Sequence, residues 1–281
     1  MAHSSVLPKT VLICHQEDSL IAEGLTAWLA SSLDLGGIVL LRERPGALLR
    51  RVRREWRRVG PWRFLDVIAF RLYYRLVLAR ADTAWAQQEL ARLRTRYPAD
   101  PDAVSRIVVA DPNTTTVRNF LQQARPDLVI ACCKVLLKRE IFNIPRFGTF
   151  ALHPGICPEY RNAHGCFWAL ANRDLTRVGM TLLRVDEGVD AGPIFLQASY
   201  AFDEICESPM VIQRRVVLEN LETIASTLIG VYRGRSQPVS TYGRTSAVWG
   251  QPRLSAYWRW KSATRRAGHE ARSTPRSGRM F

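Results

Sequence analysis

The chain has 281 residues, 47% of them hydrophobic, with a formal net charge of +15 and six cysteines. That length gives one large domain, or one domain with an insertion and a tail, and the apolar fraction is ample for a core. Apolar runs of about eighteen residues, a basic-then-apolar leader in residues 1–9 and Cys-x-x-Cys pairs are all lacking, which argues against a spanning helix, secretion, a disulfide framework and structural zinc, and for a reducing, cytoplasmic setting.

Much of the positive charge lies in residues 42–80 and after Arg244. A basic balance suits anionic partners such as nucleotides, nucleic acid or an anionic membrane; its plainer reading is a solvated arginine-rich surface.

Residues 10–15 (TVLICH) are a short apolar run expected as a buried strand. Asp18 or Ser19 is the cap of a helix over 20–31, with Leu20, Leu25, Trp28 and Leu29 on its apolar face, and 37–41 (GIVLL) is a second strand. This β-α-β opening predicts an α/β, doubly wound, mostly parallel sheet of Rossmann type. The turn after the first strand, Gln16-Glu17-Asp18, is acidic and has no glycine, so it is not a dinucleotide phosphate cradle.

Residues 43–98 interrupt the alternation as a helical insertion of three helices, with Gly60-Pro61 as one breaker and another boundary near Asp82. The expected use is a lid or a homodimer face packed on the sheet; a peripheral membrane contact by a basic, aromatic-rich helix is the sharper alternative, and Arg71 and Arg75 exclude simple spanning. Strands then follow at 105–110 and 127–133, a capped helix at 113–123, a short helix at 138–142, a helix at 163–172, late strands at 178–185 and 193–201, and helical spacing over 209–232. The expected division is a catalytic domain over 1–235 and a basic, poorly ordered tail over 236–281.

The candidate chemistry sits in a loop full of breakers, Ala151-Leu152-His153-Pro154-Gly155 through Trp168, and in the acidic turn Val185-Asp186-Glu187-Gly188-Val189-Asp190. His153, His164 and Asp190 are candidate acid-base groups: an imidazole changes protonation near neutral pH and a carboxylate orients or charges it. Each residue alone also has a structural explanation, as a hydrogen-bonding loop histidine or a turn-forming aspartate. Two histidines and an aspartate can hold zinc, but nothing in this spacing demands a metal.

The ordered segments PDLVIACCKVLLKREIF, FGTFALHPGICPEYR and VGMTLLRVDEGVDAGPI, spanning 125–197, resemble the catalytic domain of the folate-dependent formyltransferases. The resemblance implies acyl transfer from 10-formyltetrahydrofolate to an amine, with His153 stabilising the oxyanion and Asp190 holding that histidine or moving the amine proton. It places the folate ring against Val135, Leu136 and Leu137 and the turn Asp186, Glu187, Gly188 and Val189. The family pattern Asn-x-His-Pro carries Ala151 at its first position, which removes a side-chain donor; Asn162, His164 or a backbone N–H are the candidate substitutes. Arg161-Asn162-Ala163-His164-Gly165-Cys166-Phe167-Trp168 is similar to a motif of sugar N-formyltransferases, so the implied acceptor is an amine on a nucleotide-linked sugar, contacted by His164 and stacked by Tyr160 and Trp168, although core packing also suits Trp168. Two alternatives use the same residues: hydrolysis of formyltetrahydrofolate, and a folate-binding homologue impaired at Ala151.

Overall fold

The computed structural model describes residues 7–43, 46–98 and 104–273. Its main sheet has seven strands in the order β3-β2-β1-β4-β5-β7-β8. The strands are β1 Lys9–His15, β2 Asp34–Leu41, β3 Arg106–Val109, β4 Leu128–Cys132, β5 Thr149–His153, β7 Met180–Arg184 and β8 Ile194–Ala198. The first five pair in parallel; β7 runs antiparallel to β5, and β8 antiparallel to β7. The mostly parallel sheet expected from the opening residues is therefore present, closed by an antiparallel hairpin.

β1 is central because both of its faces are apolar. Leu12 and Cys14 enter one core; Val11 and Ile13 enter the other. This is what a two-residue side-chain period does to an unbroken apolar run, and it requires helices on both faces. On the first face lie a π-helical turn (Leu20–Leu25), α1 (Thr26–Ser32) with Trp28 and Leu29 fully buried, α6 (Gly165–Ala171), α7 (Pro209–Leu218) and α8 (Leu221–Tyr232). On the second lie α4 (Thr115–Ala124) and α5 (Arg139–Phe142). α4 starts where Thr114 accepts from the Val117 N–H, the capping expected for a threonine ahead of an apolar stripe.

The insertion is helical from 47 to 96: α2 (Ala47–Tyr73), a π-helical stretch (Tyr74–Leu78) and α3 (Ala79–Arg96). Its break is at Gly60, whose φ of 76° no β-carbon residue adopts readily. The boundary expected near Asp82 falls at Ala79, where the π-helical stretch passes into α3. Asp82, in the first turn of α3, is buried and accepts from Ser208 Oγ at 2.7 Å, so it also anchors the helix.

The tail differs from the expectation most. Beyond Gly234 the chain adds β9 (Val248–Trp249), paired in parallel with the short β6 (Arg161–Asn162), and then α9 (Leu254–Ser273). Ala256, Tyr257, Trp260 and Thr264 of α9 are buried, at helical spacing, and α9 packs on α2 and α6. Loss of a fully buried tryptophan such as Trp260 costs about 3–5 kcal/mol, enough to fix the helix in place. Ser255, Arg259, Ser262, Arg265 and Arg266 are exposed on its outer side, and this polar composition is what reads as an irregular segment. Among the described residues no helix is long and apolar enough to cross a membrane.

Candidate active site

Parallel sheets place ligands at the carboxyl ends of their strands, near the point where strand order reverses. Here that point lies between β1 and β4, and His15 at the end of β1 accepts from the Lys134 N–H just past β4 at 3.1 Å. The next strand, β5, ends on His153.

His153 is buried, and its ring is held from two sides. Nε2 lies 2.7 Å from the Tyr160 carbonyl, and Nδ1 lies 3.4 Å from Oδ2 of Asp190. A carbonyl only accepts, so Nε2 carries the hydrogen and donates. Nδ1 is then the edge that faces the carboxylate, across a distance longer than a well-formed charged hydrogen bond. Asp190 Oδ2 also accepts from the Asn162 N–H at 2.8 Å. Three residues here, Asn162, His164 and Asp190, have left-handed backbone (φ 72°, 58° and 46°). Such positions cost about 1–2 kcal/mol each and persist where surrounding contacts impose them.

The loop carrying this geometry is tied down by residues the motifs did not single out. Thr181 Oγ1 donates to the Gly155 carbonyl at 2.7 Å and accepts from the Cys157 N–H at 3.0 Å. Arg244 reaches in from the tail: Nε and Nη2 grip both oxygens of Glu159 (2.9 and 2.6 Å), Nη2 also reaches the Cys157 carbonyl (2.9 Å), and Nη1 reaches Gln197 Oε1 (2.9 Å). Burial alone would raise the Glu159 carboxyl, but the Arg244 hydrogen bonds hold it below the ordinary value. Gly155 and Gly165 pack backbone against backbone. A β-carbon on Gly165 would stand 2.6 Å from the Gly155 α-carbon and 2.8 Å from the Tyr160 carbonyl that fixes His153. In the sequence these glycines read as loop breakers; their closeness comes from the fold, while the arginine lies 91 residues beyond His153 and carries no local signal.

Several expected contacts are used up by the chain itself. Tyr160 stacks on Trp249 (5.5 Å, 19°) and its hydroxyl donates to Asp174; Trp168 stacks on the other side of Trp249 (5.0 Å, 27°) and donates Nε1–H to the Gly250 carbonyl. Both rings are buried, so the expected stacking on a ligand is replaced by stacking on the tail. Asn162 directs its side-chain amide to the Trp249 carbonyl, so its contribution at Asp190 comes from the backbone. The His164 Nδ1 is buried without a partner, and burial, followed by the Lys134 charge, holds this imidazole down at about 4; it is a neutral group at neutral pH. Ala151, two residues before His153 in β5 and so on the same sheet face, packs against Cys157, Leu183 and Ile194.

The segment expected to meet a folate ring has an apolar, accessible edge. Val135 and Leu136 are exposed and Leu137 is buried. Asn113 straps this stretch, donating to the Leu136 carbonyl (2.9 Å) and accepting from the Lys138 N–H (2.7 Å). Across from it the Asp186 to Val189 turn is closed by Gly188 N–H donating to Asp186 Oδ1 at 2.8 Å. Asp186, Glu187 and Gly188 also line a cavity of about 960 Å³ with Arg139, Arg146 and Arg184, toward the opposite end of the strands from His153. Among the described residues no group of three His, Cys, Asp or Glu side chains is placed to hold a metal ion.

Comparison with known proteins joins this geometry to a family. Residues 92–228 match the family described as formyl transferase. A methionyl-tRNA formyltransferase of Pelobacter propionicus is 29% identical over 136 residues, 47% of this chain and 42% of that protein. A methionyl-tRNA formyltransferase of Thermodesulfovibrio yellowstonii is 32% identical over 108 residues, 36% of this chain and 34% of that one. The chain thus spans less than half the length of these curated relatives. In fold it is similar to the phosphoribosylglycinamide formyltransferase of Anaplasma phagocytophilum, with a TM-score of 0.52, 12% identity and coverage of 88% of this chain and 100% of that one.

Proposed function

We propose that the chain, whose residues 92–228 match the formyl transferase family, transfers a formyl group from 10-formyltetrahydrofolate to an amine. The observation that carries the proposal is the meeting of His153 Nδ1 and Asp190 Oδ2 at 3.4 Å where β5 ends. The folate co-substrate supplies the activated formyl carbon, and the residues present suit it: the apolar edge of Val135 and Leu136 would take one side of the ring, and backbone groups of 186–189 its polar rim.

The division of labour follows from the hydrogen bonds. Tyr160 O fixes the ring through Nε2, so the Nδ1–H edge is the one left to stabilise the oxygen that gains charge as the amine attacks. Asp190 lies on the same edge and takes the proton that the amine sheds. The methyl group of Ala151 offers no second donor, and the Asn162 amide is committed to the Trp249 carbonyl. One missing oxyanion donor costs about 3–4 kcal/mol at the transition state, so the reading predicts a slow enzyme that Ala151→Asn accelerates.

For the acceptor we propose the amine of a nucleotide-linked sugar. The support is the 161–168 motif, together with the positive charge that Lys134 and Arg71 bring close to His164. Mass spectrometry of reactions with 10-formyltetrahydrofolate and a panel of amino-sugar nucleotides, glycinamide ribonucleotide and methionyl-tRNA tests this. A formylated amino-sugar nucleotide is the expected product. Formate released without any amine product would make the chain a hydrolase. No turnover from the native chain, with activity appearing only in Ala151→Asn, would make it an impaired folate binder.

A further inference from the structure

The outer side of α2 carries an apolar stripe that the other described residues leave open. After the break at Gly60, Trp62, Leu65 and Leu72 recur at i, i+3 and i+10, and Leu76 and Val77 extend the row. Trp62 is 83% exposed and Leu76 is 74% exposed, whereas Phe64, Val67 and Phe70 on the opposite side are buried. The helix is therefore apolar on both sides, and only one side has a protein partner. A contiguous exposed apolar patch of this kind marks a surface that something else covers.

The charge around the stripe says what covers it. Residues 47–80 contain ten arginines and two carboxylates, Glu55 and Asp66. Asp66 is already engaged, accepting from the Ser255 N–H at 3.0 Å. Arg57, Arg58, Arg63, Arg75 and Arg80 are exposed; of these, only Arg58 enters an ion pair among the described residues, with Glu55. Setting this face against a second copy of itself would bring like charge against like charge. An anionic headgroup layer neutralises it while admitting the tryptophan and leucines into the acyl boundary.

We propose that the face formed by Trp62, Leu65 and Leu72 of α2 and Leu76 of the π-helical stretch after it docks on an anionic phospholipid surface, with the flanking arginines at the headgroups. The chain lies on the bilayer rather than crossing it, in keeping with the lack of any helix able to span among the described residues.

Co-sedimentation of the full chain with vesicles tests this, using phosphatidylcholine alone and phosphatidylcholine with about a third phosphatidylglycerol, in about 0.1 M salt. The expected result is binding to the mixed vesicles at least about tenfold tighter than to the neutral ones. W62S/L65S/L72S/L76S should lose at least about tenfold of that binding while keeping the wild-type circular dichroism spectrum, since these side chains support no core. R57E/R63E/R75E should lose it as well, which decides the matter even if the serine variant folds poorly. Equal binding to both vesicle types, or undiminished binding by both variants, would overturn the proposal. So would a wild-type dimer in sedimentation equilibrium that the serine substitutions dissolve, without vesicle binding; that result would make the face a contact between copies.

Discussion

Two loops bring His153 and Asp190 together, and they are built in different ways. The loop after β5, residues 154–164, is fastened by groups from far along the chain: Thr181 of β7, Arg244 and Ala247 of the tail, and Trp249 of β9. The turn between β7 and β8, residues 185–193, is fastened mainly near its own base: Arg184 N–H to the Pro193 carbonyl, Val185 N–H to the Thr149 carbonyl, and Gly188 N–H to Asp186. A segment held by local bonds opens at lower cost than one cross-braced by a bidentate ion pair and two stacked indoles. His153 is thus the fixed member of the pair and Asp190 the adjustable one. Nδ1 and the Asp190 carboxylate meet at 3.4 Å, so a proton can pass between them but a reacting oxygen must approach from the side.

The sharpest way to break the comparison is to strike the stiff side at its tightest point. Gly165→Ala forces a β-carbon into the Gly155 backbone and the Tyr160 carbonyl, and neither has a flexible end that can yield. The expected loss is about 3 kcal/mol of stability, read by chemical denaturation, with turnover falling along with the His153 alignment. Arg244→Ala removes the brace but leaves the loop's own backbone intact. It leaves Glu159 with only the longer contact to Arg177 at 3.5 Å, and about 2 kcal/mol of stability should go with it. Because the defect is one of alignment, kcat should fall more than KM rises, and Arg244→Lys, which cannot form the fork, should restore only part of it.

The smallest effect concerns His164, beside the stiff loop. Its imidazole is held at about 4 against an ordinary 6.5, so between those values the unfolded chain binds a proton that the folded chain does not. Stability therefore falls as pH drops through that window and is unaffected by this group above it. From pH 7.5 to 5.5 the loss is about 1 kcal/mol. His164→Asn, which suits the left-handed backbone, should flatten that part of the stability-pH curve; an unchanged slope would show that another group carries it.

Much of this was legible in the residues. The apolar run at 10–15 and its β-α-β continuation fix the sheet, and the ordered motifs over 125–197 point to His153 and Asp190, which the fold brings within 3.4 Å. The parts that were not legible share one cause: they depend on pairings distant in sequence. Tyr160 and Trp168 look available for a ligand until Trp249 slides between them. Asn162 looks like a free amide until the Trp249 carbonyl takes it. The tail looks irregular because Arg, Ser and Gly dominate its composition, while the few residues that dock it, Tyr257 and Trp260 above all, are outnumbered. Asp82 reads only as a helix start because the buried hydroxyl it serves lies 126 residues away.

The central claim is that His153 and Asp190 act as one unit in formyl transfer. A double-mutant cycle under single-turnover conditions, with 10-formyltetrahydrofolate and the best acceptor, tests it most directly. Each of His153→Ala and Asp190→Ala should slow transfer by about a thousandfold, and the double variant should be no slower than the worse single one. If the two losses multiply, or if either single variant turns over at the wild-type rate, the two groups work independently and the account is wrong.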